Sequence, residues 1–128
     1  MTQKQQPEFV LIARGIGITP FRSMVKAMID TGKFRPAVLF YIVQSGDEIL
    51  FHDIFDQAEQ KGHLKIVYIV GEQMDESHLQ THVENIIKPH YYLSGPQGMV
   101  EEYREMLNSL GIDYENIKTD LFTGYDSA

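Results

Sequence analysis

The stretch from Phe9 to Met24, FVLIARGIGITPFRSM, constrains this chain more than any other, because it joins a strand, a glycine turn and a helix start within sixteen residues. Phe9, Val10, Leu11, Ile12 and Ala13 form a continuous apolar run. Such a run suits a central parallel strand covered on both faces, since a half-exposed strand alternates with polar residues. Gly15 and Gly17 then let the backbone turn sharply and be approached closely. Thr19 is expected to be the N-cap and Pro20 the first helical residue, where the missing N–H leaves no helical bond unmade. Phe21, Met24, Val25, Met28 and Ile29 follow at helical spacing and predict one apolar face. A strand feeding a helix through glycines aims free N–H groups and the positive end of the helix dipole at one point. The expected ligand there is a phosphate-bearing nucleotide. Against the fingerprint G-x-G-x-x-G the match is imperfect, with Pro20 where the third glycine would stand. No lysine followed by Ser or Thr comes after the glycines, which sets aside the phosphate loop of nucleoside triphosphatases.

The rest of the chain repeats the alternation. Gly32 ends the first helix, and Pro36 precedes a second apolar strand, Ala37 to Val43. After a turn at Gln44–Asp47 a helix is expected from Ile49 to Gln60, with Leu50, Ile54, Phe55 and Ala58 inward and Gly62 as its stop. Leu64 to Val70 is a third strand. A short helix carries the stripe Leu79, Val83, Ile86, Ile87 and closes at Pro89. A fourth strand, Tyr91 to Leu93, runs into a second glycine and proline turn, Ser94-Gly95-Pro96-Gln97-Gly98, and a helix with Met99, Val100, Tyr103, Met106, Leu107 and Leu110 on one face. A last strand spans Asn116 to Phe122. Five strands alternating with four helices predict an α/β, doubly wound parallel sheet. In order 3-2-1-4-5, the turns after strands one and four face each other across one crevice at the carboxyl edge, where such sheets bind ligands.

The 128 residues are read as a single domain, 1–128. Its net charge of −7, with 11 scattered basic residues, argues against a nucleic-acid partner, so any phosphate has to be held locally. Cysteine is absent, which rules out disulfides and thiolate metal sites. No apolar stretch approaches a membrane span, and the expected setting is soluble and cytoplasmic, with no membrane partner. His78 and His82 stand four apart, but no third ligand accompanies them and no metal is assigned; a solvated helix face is expected. Asp47, Glu48, Asp53 and Asp56 are read as solvating a helix face.

Three segments carry a resemblance. Ala13-Arg14-Gly15-Ile16-Gly17-Ile18-Thr19-Pro20, then Ser94-Gly95-Pro96-Gln97-Gly98-Met99, then Asp120-Leu121-Phe122 resemble, in order, the A-G-G-x-G-I-T-P, C-G-P-x-x-M and acidic-x-Phe motifs of the pyridine-nucleotide domain of the ferredoxin-NADP reductase superfamily. The resemblance implies that Gly15, Gly17, Ile18, Thr19 and Pro20 wrap the pyrophosphate and nicotinamide ribose. Ser94, Gly95 and Pro96 would flank the nicotinamide, with Gln97 in the same turn and Met99 near the adenosine half. Gln44 stands where an arginine meets the 2′-phosphate of NADP in many members; lacking charge, it favours NADH over NADPH. Ser94 replaces the usual cysteine. Arg14 replaces a glycine, and either adds charge beside the pyrophosphate or narrows the turn.

In this superfamily hydride passes between nicotinamide and an FAD held by a separate β-barrel domain on the N-terminal side. The sequence has no room for that barrel before its first strand, so the flavin is expected on another domain or subunit. Phe122 and Tyr125 would lie near the flavin edge, and an apolar patch there would favour a homo-oligomer. Asp120 is either a capping or ion-pair residue at the sheet end or the acidic partner in the nicotinamide pocket, where Ser94 and Phe122 are the other candidate catalytic residues. The expected function is an NAD(P)H-binding component of a flavin-dependent oxidoreductase. The alternative is a non-catalytic nucleotide-binding or sensor module.

Overall fold

The computed structural model describes residues 4–62 and 64–121, without the side chains of Asp120 and Leu121. Phe122 and Tyr125 lie outside the described residues. The five strands, β1 (Phe9–Arg14), β2 (Ala37–Val43), β3 (Leu64–Val70), β4 (His90–Gly95) and β5 (Ile117–Leu121), form one sheet in the order β3-β2-β1-β4-β5. Every pairing is parallel. The expected doubly wound α/β sheet is therefore present.

Period-two alternation sorts the strand residues onto two faces. Val10, Ile12, Val38, Phe40, Ile42, Tyr91 and Leu93 pack beneath α3 (Glu76–His82) and α4 (Gln97–Ser109). Leu11, Ala13, Leu39, Tyr41 and Val43 pack beneath α1 (Thr19–Thr31) and α2 (His52–Gln60). All seven residues of β2 are buried, as its unbroken apolar sequence requires of a strand flanked on both sides and covered on both faces.

Several boundaries differ from the sequence expectations, each for a local reason. Thr19 is not the N-cap: Gly15–Ile18 already forms a 3-10 turn, and Ile18 carries helical dihedrals, so the chain enters α1 without a side-chain cap. The second helix begins at His52 rather than Ile49, because Gly46–Glu48 takes a 3-10 turn and Phe51 sits in the left-handed region, φ 61°. Leu50, expected inward, is exposed. The Arg22 guanidinium lies 5.2 Å from the Phe51 ring centroid and covers that strained residue. The third helix ends at His82, which leaves Ile86 and Ile87 outside it. The fourth strand runs on to Gly95, so Ser94 and Gly95 are strand residues.

The two histidines are not a solvated pair. Burial pushes the His82 pKa below its ordinary value, and Lys65 and His78 add to the effect; its ring meets Phe40 edge-on. The His78 ring closes a capping box at the start of α3.

Candidate functional site

At the carboxyl edge of the sheet, the end of β1 places Arg14 and Gly15 between the tips of β2 and β4. A cleft of about 190 Å³ opens there, lined by Arg14, Gly15, Ile16, Ile42, Val43, Gln44, Glu48 and Pro96. A second, of about 200 Å³, shares Arg14, Ile42, Val43 and Gln44 and adds Gly71, Glu72 and Gln73 beyond β3. Together they form a groove crossing the strand tips from β4 to β3. Three interstrand spacings amount to about 14 Å. Gly15 has φ +59°, and a Cβ built on it meets nothing within 4 Å, so this backbone faces open space at the groove.

Gly17 is different. A Cβ there would stand 2.6 Å from the Ser94 carbonyl carbon and 3.0 Å from Gly95 Cα. The two glycine turns therefore touch rather than face each other across a crevice, and the open room lies toward β2. A side chain at position 17 would therefore strain the fold itself and not only obstruct a ligand. Ser94 is fully buried, and its Oγ has no hydrogen-bond partner among the described residues. An unsatisfied buried hydroxyl calls for an explanation; Ser94 is covered by the Gly17 turn and lines neither cavity, and its register partner on β5 is Asp120, whose side chain is not described.

The remaining predicted residues divide into those that face the groove and those that build it. Gln44 lines both cavities, and its N–H donates to Glu48 Oε1 at 3.0 Å. Ile18 is fully buried in the core beneath α1, and Thr19 is exposed. Pro20 lines a separate cavity of about 310 Å³ beside α1, with Phe21, Met24, Tyr92, Leu93, Lys118 and Thr119. Met99 is a core residue; its Sδ would lie 2.9 Å from a Cβ on Gly95, so it supports the turn from below. Gln97 is exposed and donates to Glu101 at 3.0 Å. Asp120 pairs with Ser94 in the β4–β5 register, while Phe122 lies outside the described residues.

Two buried tyrosines pin the loops that border the groove. The Leu50 N–H donates to the Tyr41 hydroxyl at 3.1 Å, and the Met74 N–H donates to the Tyr103 hydroxyl at 3.2 Å. Burial raises the pKa of both phenols, which remain neutral acceptors at ordinary pH. Sequence reasoning missed Glu48 and Glu72 as groove residues. Their signal was position, one just past the tip of β2 and the other just past the tip of β3, the edge at which such sheets take ligands.

Fold and groove together define a doubly wound nucleotide-binding domain with a Gly-turn site at its carboxyl edge. Comparison with known proteins gives the same result from sequence: residues 11–105 match the family model described as the oxidoreductase NAD-binding domain, and the chain belongs to that family. It is of the pyridine-nucleotide-binding type found in the ferredoxin-NADP reductase superfamily. The phthalate dioxygenase reductase of Burkholderia cepacia is 30% identical over 105 residues, which cover 80% of this chain and 32% of that protein. A flavohemoprotein of Deinococcus radiodurans is 25% identical over 94% of this chain and 34% of its own length. The chain thus spans about a third of these relatives. The structure of flavohemoglobin from Malassezia yamatoensis superposes with a TM-score of 0.77 at 24% identity, over 95% of this chain and 33% of that one; it shows the shared fold.

Proposed function

We propose that this domain binds a reduced nicotinamide dinucleotide along the groove and presents it to a flavin held on another domain or subunit. The observation that carries the reading is the groove itself, with Arg14, Gly15, Gln44 and Pro96 on its walls. Those groups suit the ligand. Arg14 makes no ion pair among the described residues and can meet a pyrophosphate, while the bare Gly15 backbone lets that anion approach closely. When bound, the dinucleotide supplies the hydride and the flavin accepts it. The residues of this chain bind and orient. Pro96 borders the nicotinamide end beside β4, with Ser94 buried beneath the adjoining turn, and Gln44, Glu48 and Glu72 border the adenosine end over β2 and β3.

NADH is the preferred dinucleotide in this reading. Gln44 offers no charge to a 2′-phosphate, and the adjacent Glu48 carboxylate repels one while accepting hydrogen bonds from a ribose diol. The domain works in the cytoplasm, in keeping with its lack of cysteine.

The test is to mix the chain, loaded with NADH, with a separately prepared flavoprotein domain of this superfamily under anaerobic conditions and to follow flavin bleaching. Bleaching faster than with NADH alone is expected. Dinucleotide binding without any acceleration would replace this reading with that of a non-catalytic nucleotide-binding or sensor module.

A further inference from the structure

We infer that His78 sets the dinucleotide preference of the groove by holding the Glu72 carboxylate at its adenosine end; the inference rests on the reading of the groove proposed above. Gly71 turns with φ +73°, and its N–H donates to the Val43 carbonyl at 2.9 Å, which ties the loop after β3 to the tip of β2. Glu72 follows and lines the groove with Arg14 and Gln44. A glutamate on an exposed loop ordinarily samples many rotamers, and the Glu72 side chain is 63% exposed.

His78 removes that freedom. It sits in the first turn of α3, and its side chain is only 20% exposed. The Asp75 N–H donates to His78 Nδ1 at 3.0 Å. A backbone N–H can only donate, so Nδ1 of the neutral ring is the acceptor and the proton resides on Nε2. Nε2 lies 3.1 Å from Glu72 Oε1 and donates to it. The Asp75 carboxylate stands 3.2 Å from Nδ1, but its Oδ1 is already engaged by the Ser77 and His78 N–H groups and the Ser77 hydroxyl. The capping box thus fixes the ring, and the ring fixes the tautomer that grips Glu72.

With one oxygen held by His78, the Glu72 carboxylate keeps its other oxygen for a hydroxyl donor. A ribose diol can supply one. A 2′-phosphate dianion has no proton to give and is repelled by this carboxylate, with Glu48 on the other side of Gln44. His78 is a positioning residue: it acts on the ligand only through Glu72.

The experiment measures dissociation constants for NADH and NADPH by calorimetry with the wild-type chain and with His78→Ala, His78→Gln, Glu72→Gln and the double variant His78→Ala/Glu72→Gln. His78→Ala should lower the preference for NADH by about threefold to tenfold. Glutamine offers an acceptor and a donor about as far apart as the two ring nitrogens, so His78→Gln should keep both contacts and the wild-type ratio. In the Glu72→Gln background, removing His78 should leave the ratio unchanged, since the group it positions has lost its charge. An unchanged ratio in His78→Ala would overturn the inference alone, as would an equal change in the presence and absence of the Glu72 carboxylate. Failure of the folded wild-type chain to bind either dinucleotide would overturn the reading of the groove as well.

Discussion

Gly17 lies so close to Ser94 that a Cβ at position 17 would stand 2.6 Å from the Ser94 carbonyl carbon. This contact seals the first glycine turn onto the tip of β4 and leaves Gly15 as the backbone that opens to the groove. Gly17→Val should therefore destabilise the domain by about 3 kcal/mol, because the neighbour is backbone and cannot repack. Gly15→Ala meets no neighbour and should cost about 1 kcal/mol for its left-handed conformation alone. Urea denaturation of the two variants gives the comparison; an unchanged midpoint for Gly17→Val would contradict the packing account.

Arg14 should supply much of the affinity for the pyrophosphate. Arg14→Ala is expected to weaken dinucleotide binding about tenfold and to flatten its dependence on salt, because the contact is charge-assisted. Equal affinity and an equal salt slope in the variant would remove Arg14 from the site.

In the proposed binding mode Gln44 should set the charge that meets the adenosine ribose. Gln44→Arg places a guanidinium beside Glu48 and within the same groove as Glu72, so it both neutralises a carboxylate and offers a fork to a phosphate. NADPH affinity relative to NADH should rise about tenfold. Parallel calorimetric titrations that gave the wild-type ratio would show that the ribose does not lie at Gln44.

His82 links stability to acid. Its native pKa lies below the ordinary 6.5, chiefly through burial, so the unfolded chain takes up a proton before the folded one does. The stability it contributes is complete above pH 6.5 and is lost as the pH falls from there through the lower native value. The imidazole proton resonance of His82 should titrate with a midpoint below 6.5, and His82→Phe should flatten the loss of stability in that window. A midpoint at or above 6.5 would contradict the burial described for this ring.

The sheet was legible because β1 and β2 are unbroken apolar runs, which only a central parallel strand can bury. The strand order 3-2-1-4-5 is the one that sets the two glycine turns on adjacent strands, and it is the order observed. What the sequence did not disclose depends on contacts between distant segments. The Gly17–Ser94 contact joins turns from opposite ends of the chain, and no local pattern encodes it. Thr19 carries the chemistry of an N-cap, yet the GIGI turn before it is already helical and leaves nothing to cap. Helical spacing pairs His78 with His82, whereas its partners are Glu72, in the loop before the helix, and the backbone of Asp75. Sequence position groups Glu48 with the helix-face acids, but its carboxylate turns back to the Gln44 N–H and so borders the groove.

Whether the groove at the carboxyl edge takes a nicotinamide dinucleotide is decided by calorimetric titration of the purified chain with NADH and NADPH in parallel at low salt. Saturable binding at a single site, tighter for NADH, is expected. No heat with either dinucleotide, from a sample shown to be folded, would contradict it.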